Sequence, residues 1–176
     1  TLPEQEKAAC FQKAIHACEK SLAIRPDHAG TLHNLGAALD VMGKTLPEQE
    51  KAACFQKAIH AHEKSLAIRP DHAETLHNLG ITLMRMGWSV PTGERRVWLQ
   101  QALERCQQAR KLAPDKPVYA YNHACALSLL GEKTEAIREL QRLVQYDPSK
   151  KEAIAQEKYF VPLHHLQAYK NLFKDG

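Results

Sequence analysis

Ten histidines and five cysteines in 176 residues are the side chains best able to bind a metal or attack a substrate. Their spacing does not support either use. His60 and His62 are two apart, on opposite sides of a helix, and His28, His33, His72 and His77 fall in no HEXXH or CXXC pattern. His164-His165 reads as surface. The cysteines (Cys10, Cys18, Cys54, Cys106 and Cys125) are odd in number and lack a disulfide framework. They point to reduced thiols in a cytoplasmic compartment, with Cys10 and Cys54 expected to be buried structural thiols. The sequence has no nucleophile–base–orienter set and no glycine-rich phosphate loop, so we expect no enzyme activity, no metal and no cofactor. One set of polar side chains does recur in register. Asn34, Asn78 and Asn122 are each 44 residues apart. A primary amide both donates and accepts hydrogen bonds, so it can pair with the N–H and C=O of a peptide main chain whatever the side chains.

Asparagine is a poor helix former, so three in register need elements that hold them there. Those elements are repeats. Residues 1–44 and 45–88 agree at 37 of 44 positions. The differences are Cys18/His62, Gly30/Glu74, Ala37/Ile81, Ala38/Thr82, Asp40/Met84, Val41/Arg85 and Lys44/Trp88. A third, diverged copy follows, marked by Pro26, Pro70 and Pro114 and by Gly43, Gly87 and Gly131. After Gly131 the spacing shortens, and Pro148 follows Pro114 by 34 residues. Copies this similar imply a recent duplication or an engineered array.

Each unit reads as two helices. Leu32, Leu35 and Leu39 have helical spacing, and Gly43 stands where a left-handed C-cap is expected. Thr45 and Glu48 form a capping-box signature, repeated by Thr1 and Glu4, with Pro47 in the first turn. Ala52, Phe55, Ile59, His62 and Leu66 make one stripe. It predicts a second helix of roughly 23 residues, about 35 Å long. No β alternation is present.

These residues resemble the tetratricopeptide repeat (TPR). The resemblance rests on Leu35-Gly36, Gly43, Ala58 and Pro70 and covers essentially the whole chain. It implies an all-α, TPR-like helical-hairpin solenoid with a right-handed superhelix. The order expected is an unpaired helix B over 1–28, then units at 29–72, 73–116 and 117–148, then capping helices over 149–176. In the family the turn glycine precedes the helix B alanine by five residues, as Gly131 precedes Ala136. From Gly43 to Ala58 the interval is fifteen, which predicts a longer helix B. The helix B aromatic of the family is replaced by Cys18, His62 and Cys106.

The resemblance also implies that the first helix of each unit lines a concave groove. The three asparagines resemble the asparagine ladder of O-GlcNAc transferase repeats and overlap the asparagine positions of carboxylate clamps. The clamp lysines are absent, because Gly30, Glu74 and Val118 stand there. The expected function is a protein-interaction scaffold binding an extended peptide. Asn34, Asn78 and Asn122 would hold the main chain, and His33, His77, Tyr121, Glu74, Ile81 and Arg85 would select side chains. Two alternatives are a self-associating module and a regulatory fragment of a larger enzyme. Residues 1–24 carry Ala8, Phe11, Ile15, Cys18 and Leu22 on a stripe with no preceding helix, so a homodimer, swap or end-to-end contact is expected there. The net charge of +4 contains no basic block, so neither nucleic acid nor a membrane surface is an expected partner. No apolar run is long enough to span a membrane. Lacking an initiator Met, the chain is expected to be processed, excised or part of a longer one.

Overall fold

A computed structural model describes residues 4–174. Seven helices follow one another as α1 (Glu4–Ile24), α2 (Ala29–Thr45), α3 (Glu48–Ile68), α4 (Ala73–Ser89), α5 (Thr92–Leu112), α6 (Pro117–Leu130) and α7 (Lys133–Tyr146). Two short helices follow, α8 (Lys151–Gln156) and α9 (Gln167–Lys170), linked by 3-10 turns at Pro148–Lys150, Lys158–Leu163 and Asn171–Phe173. No strand occurs among the described residues. From α1 to α7 each helix packs on the next in sequence, and α4 also touches both α2 and α6. This is the order of stacked hairpins, in which neighbouring units bury what one hairpin cannot.

The extra residues of the 44-residue units are shared between both helices. α2 and α4 have 17 residues where α6 has 14, and α3 and α5 have 21 where α7 has 14. Two expectations at the turn are therefore corrected. Thr45 does not cap α3. It is the last residue of α2, and its hydroxyl donates to the Met42 carbonyl at 2.8 Å. Pro47 stands at the N-cap of α3, with no side-chain cap. Thr1, in the matching signature, lies outside the described residues. Gly43 is not a left-handed cap either. It is buried within α2, and a Cβ there would come 2.6 Å from the Phe55 ring. Among the described residues only Gly131 has positive φ, at 87°, and it closes the shorter helix α6. Glycine serves backbone conformation at the short hairpin and close helix approach at the long ones.

The core is largest toward the C-terminal half. It runs from Phe55 and Ile59 through Leu79, Leu83 and Leu99 to Leu140, Ile154, Phe160 and Leu163, the last four wholly buried. Cys54 belongs to a smaller cluster with Leu39 and Ala58. Cys10, its counterpart in α1, is exposed, contrary to expectation. The physical reason is that α3 is packed between α2 and α4, whereas the one extensive helix contact of α1 among the described residues is with α2.

Candidate functional site

The first helices of the first two repeats, α2 and α4, are joined by two polar seams. At one end Thr75, fully buried, places its hydroxyl 2.9 Å from His33 Nδ1 and 2.7 Å from His72 Nδ1. One hydroxyl has one proton, so one ring accepts it and the other donates its own N–H. At the other end the Asp40 carboxylate accepts from the Thr82 hydroxyl at 3.1 Å and from Arg85 Nη1. Asp40 is buried, so its charge needs such partners.

Three differences between the first two copies thereby acquire a purpose. Ala38 and Val41 become Thr82 and Arg85, which face Asp40; Asp40 itself becomes Met84, which is buried. Two identical helices could not make this seam, because each would bring either the acid or its partners, not both. Divergence at these positions makes the facing surfaces of α2 and α4 complementary.

The sequence-derived ligand residues are distributed as follows. Asn34 is exposed on α2 and Asn78 half-buried on α4, and neither side chain has a hydrogen bond among the described residues. Asn122, on α6, has its amide nitrogen 3.4 Å from His77 Nε2. His77 is buried and lies against Tyr119, ring centroids 4.5 Å apart. Glu74 is exposed, 3.8 Å from His33 Nε2. Ile81 packs part-buried against the main core. Arg85 is held by Asp40. The Tyr121 hydroxyl donates to Glu157 at 3.1 Å, and its ring meets Phe160 edge-on at 5.6 Å. Burial, then Cys125 and Glu157, raises the Tyr121 pKa, so the hydroxyl remains a donor. The C-terminal segment therefore covers α6, leaving Asn34, Asn78, His33 and Glu74 on α2 and α4 as the accessible group.

Behind this face lies His62, which the stripe of α3 places in the interior. It is wholly buried, and neither ring nitrogen has a hydrogen-bond partner. A Cβ on Gly36 would come 2.6 Å from its ring, so α2 can approach only because residue 36 is glycine. Burial, with a smaller contribution from His33, pushes the His62 pKa down to about 3. Burial also lowers His77 to about 4, against the pull of Glu74. His33 is lowered by burial, partly offset by Glu74. His62 and His77 thus form a neutral wall behind the α2–α4 face, and His33 stands part-buried at its surface. Among the described residues no group of three or more His, Cys, Asp or Glu side chains is placed to hold a metal ion.

A cavity of about 380 Å³ opens at the C-terminal ends of α2 and α4. Lys44, Lys51, Arg85, Trp88, Lys158 and Tyr159 line it, with Glu48 and Glu157 among the remainder. Trp88 meets Tyr159 edge-on at 5.8 Å, with Arg95 4.8 Å and Lys158 5.5 Å from its ring. Sequence reasoning missed this cavity because Lys158 and Tyr159 reach Trp88 across some 70 residues of chain. The only signal was Lys44/Trp88, a difference between two otherwise matching copies.

No curated protein matches this sequence. Residues 118–150 match the model of the tetratricopeptide repeat family. The fold is similar to that of TTC0263, a thermophilic TPR protein of Thermus thermophilus. That match has 16% identity and a TM-score of 0.67, covering 92% of this chain and 79% of the other. It is also similar to the MamA RS-1 ArsTM double mutant, at 16% identity and a TM-score of 0.60, covering 98% and 96%. No helix among the described residues is long and apolar enough to cross a membrane. The described chain thus has an all-α helical-repeat fold like that of the TPR protein TTC0263, with residues 118–150 matching a tetratricopeptide repeat.

Proposed function

We propose that the protein is a non-enzymatic interaction scaffold that holds an extended peptide segment of a partner across α2 and α4. The fold is one that presents stacked helices to protein partners. The observation that carries the peptide reading is the pair Asn34 and Asn78: equivalent amides on adjacent helices, neither bonded within the described residues. An unbonded amide costs little in water and gains a donor and an acceptor when a peptide backbone arrives. His33 and Glu74 stand beside them to read side chains. Asn122 joins the ladder by giving up its 3.4 Å contact with His77, while Ile81, Arg85, His77 and Tyr121 support the surface from within. Five free thiols support a reducing, cytoplasmic setting.

The test begins by selecting peptides from a displayed random library on the immobilised protein. Calorimetric titration of the best peptide then compares the parent with Asn34→Ala/Asn78→Ala. Each amide is worth about 0.5–1.5 kcal/mol, so removing the pair should weaken binding by about 5- to 160-fold. Thermal melts should barely move, because Asn→Ala on an open helix face is not costly. Unchanged binding with a lowered melting temperature would make the asparagines braces and reject the reading.

A further inference from the structure

In the cavity at the C-terminal ends of α2 and α4 the charges do not cancel. Lys51 is paired with Glu48 at 2.8 Å, and Arg85 is paired with Asp40. Lys44 and Lys158 are exposed on its wall, and neither has a carboxylate partner among the described residues. Arg95, beside the Trp88 ring, has none either; its Nε donates to the Gly87 carbonyl at 3.0 Å. Glu157 is the acid left over. One of its oxygens accepts from the Tyr121 hydroxyl and the other from the Tyr159 N–H. Three unpaired cations against one acid leave two positive charges in excess.

The same cavity carries ring surface. Trp88 is 41% exposed, and Lys44, its counterpart in the first copy, lines the same space. Tyr159 stands edge-on to Trp88, and its hydroxyl makes no hydrogen bond among the described residues. Burial raises the Tyr159 pKa to about 12, against the pull of Arg85, so that hydroxyl keeps its proton and is a free donor. Unpaired cations, a free donor and an exposed indole in one cavity suit an anion attached to an aromatic body.

We propose that this cavity binds a phosphomonoester whose carrier has an aromatic ring. Lys44, Lys158 and the Tyr159 hydroxyl take the phosphate, and Trp88 takes the ring. A phosphomonoester carries about −1.5 to −2 charges at pH 7 and three acceptor oxygens, which matches the excess; a carboxylate brings one charge and two oxygens. The volume of about 380 Å³ falls within the range of about 300–1,000 Å³ usual for small-ligand pockets. Two sources share this chemistry, a phosphotyrosine side chain of a partner and a free nucleotide. The α2–α4 peptide face takes no part in this inference.

Tryptophan fluorescence is the readout. Trp88 and Trp98 are the two tryptophans, and Trp98 packs part-buried against the main core, so a ligand-dependent change reports on Trp88. The probes are N-acetyl-phosphotyrosine amide, AMP, N-acetyl-tyrosine amide, the 4-carboxyphenylalanine analogue and inorganic phosphate. One of the first two should bind saturably and at least about tenfold more tightly than the last three. Preference for the phosphotyrosine amide assigns the site to a partner's side chain, and preference for AMP assigns it to a free nucleotide. Lys44→Ala/Lys158→Ala should weaken that binding at least about tenfold and leave the melting temperature unchanged, because both side chains are exposed. Lys57→Ala, exposed on α3 outside the cavity, should bind as the parent does. Saturable binding by neither phosphomonoester would overturn the proposal. So would equal affinity for inorganic phosphate or the carboxylate analogue, or a double variant that binds as the parent does.

Discussion

Acidification should unfold this protein through two histidines that cannot carry charge in place. His62 is wholly buried with both ring nitrogens unbonded, and burial sets its pKa to about 3; His77 is buried with a pKa of about 4. In the unfolded chain both titrate near about 6.5. The folded pKa is the lower one, so the unfolded state binds more protons at mildly acid pH, and stability falls as pH falls below about 6.5. The loss continues until pH reaches the folded values. Between about pH 7.5 and about pH 5 each histidine costs about 2 kcal/mol, or about 4 kcal/mol for the pair. His33 and His123 are lowered in the same sense and add to the loss. Against a typical total of about 5–15 kcal/mol, this is a large fraction. Urea unfolding across that pH range is the assay. His62→Cys, which installs the residue found at this register as Cys106, should reduce the loss by about 2 kcal/mol. A stability independent of pH, or the same slope in His62→Cys as in the parent, would refute the assignment of a neutral buried imidazole.

Three further outcomes follow from the packing. Arg85→Val, the first copy's residue, leaves Asp40 buried with Thr82 as its remaining partner and should cost about 1–3 kcal/mol in denaturant unfolding. Asp40→Met in the same chain should recover most of that cost, and a double-mutant cycle showing additivity would deny the seam. Gly36→Ala should destabilise by about 1–3 kcal/mol despite alanine's better helix propensity, because its Cβ meets the His62 ring. Removing the ring with His62→Ala should relieve the clash, whereas His62→Cys should not, because Cys106 at the same register lies 2.5 Å from where a Cβ on Gly80 would stand. Tyr121→Phe should cost about 1 kcal/mol, and amide exchange should quicken around Glu157, if the hydroxyl anchors the C-terminal segment.

The hairpin fold was legible because the 44-residue spacing of Asn, Pro and Gly outlines whole units, and the Phe55–Ile59–His62 stripe marks one buried face. The turn was misread from local signals. Thr45 and Glu48 satisfy a capping box on paper, but α2 runs on to Thr45 because Gly43 is needed against Phe55, not for a left-handed turn. Cys10 and Cys54 sit in identical sequence and differ in burial, because exposure depends on neighbours that local sequence does not encode. Of the residues expected to read ligand side chains, Arg85 also joins Thr82 in meeting Asp40 across the α2–α4 interface, a relation visible only when residues 42 and 45 apart are brought together. The asparagines were found by register alone; a capping tail over 149–176 was expected, but that it would take up Tyr121 through Glu157 was not visible in the sequence.

The α2–α4 face is tested most directly by mapping backbone amide shifts of the isotope-labelled protein during titration with a library-selected peptide. The largest changes should cluster at His33, Asn34, Glu74 and Asn78, with smaller ones at His77 and Asn122 as their contact opens. Changes confined to α3, α5 and α7, or to α1, with Asn34 and Asn78 unmoved, would contradict the account.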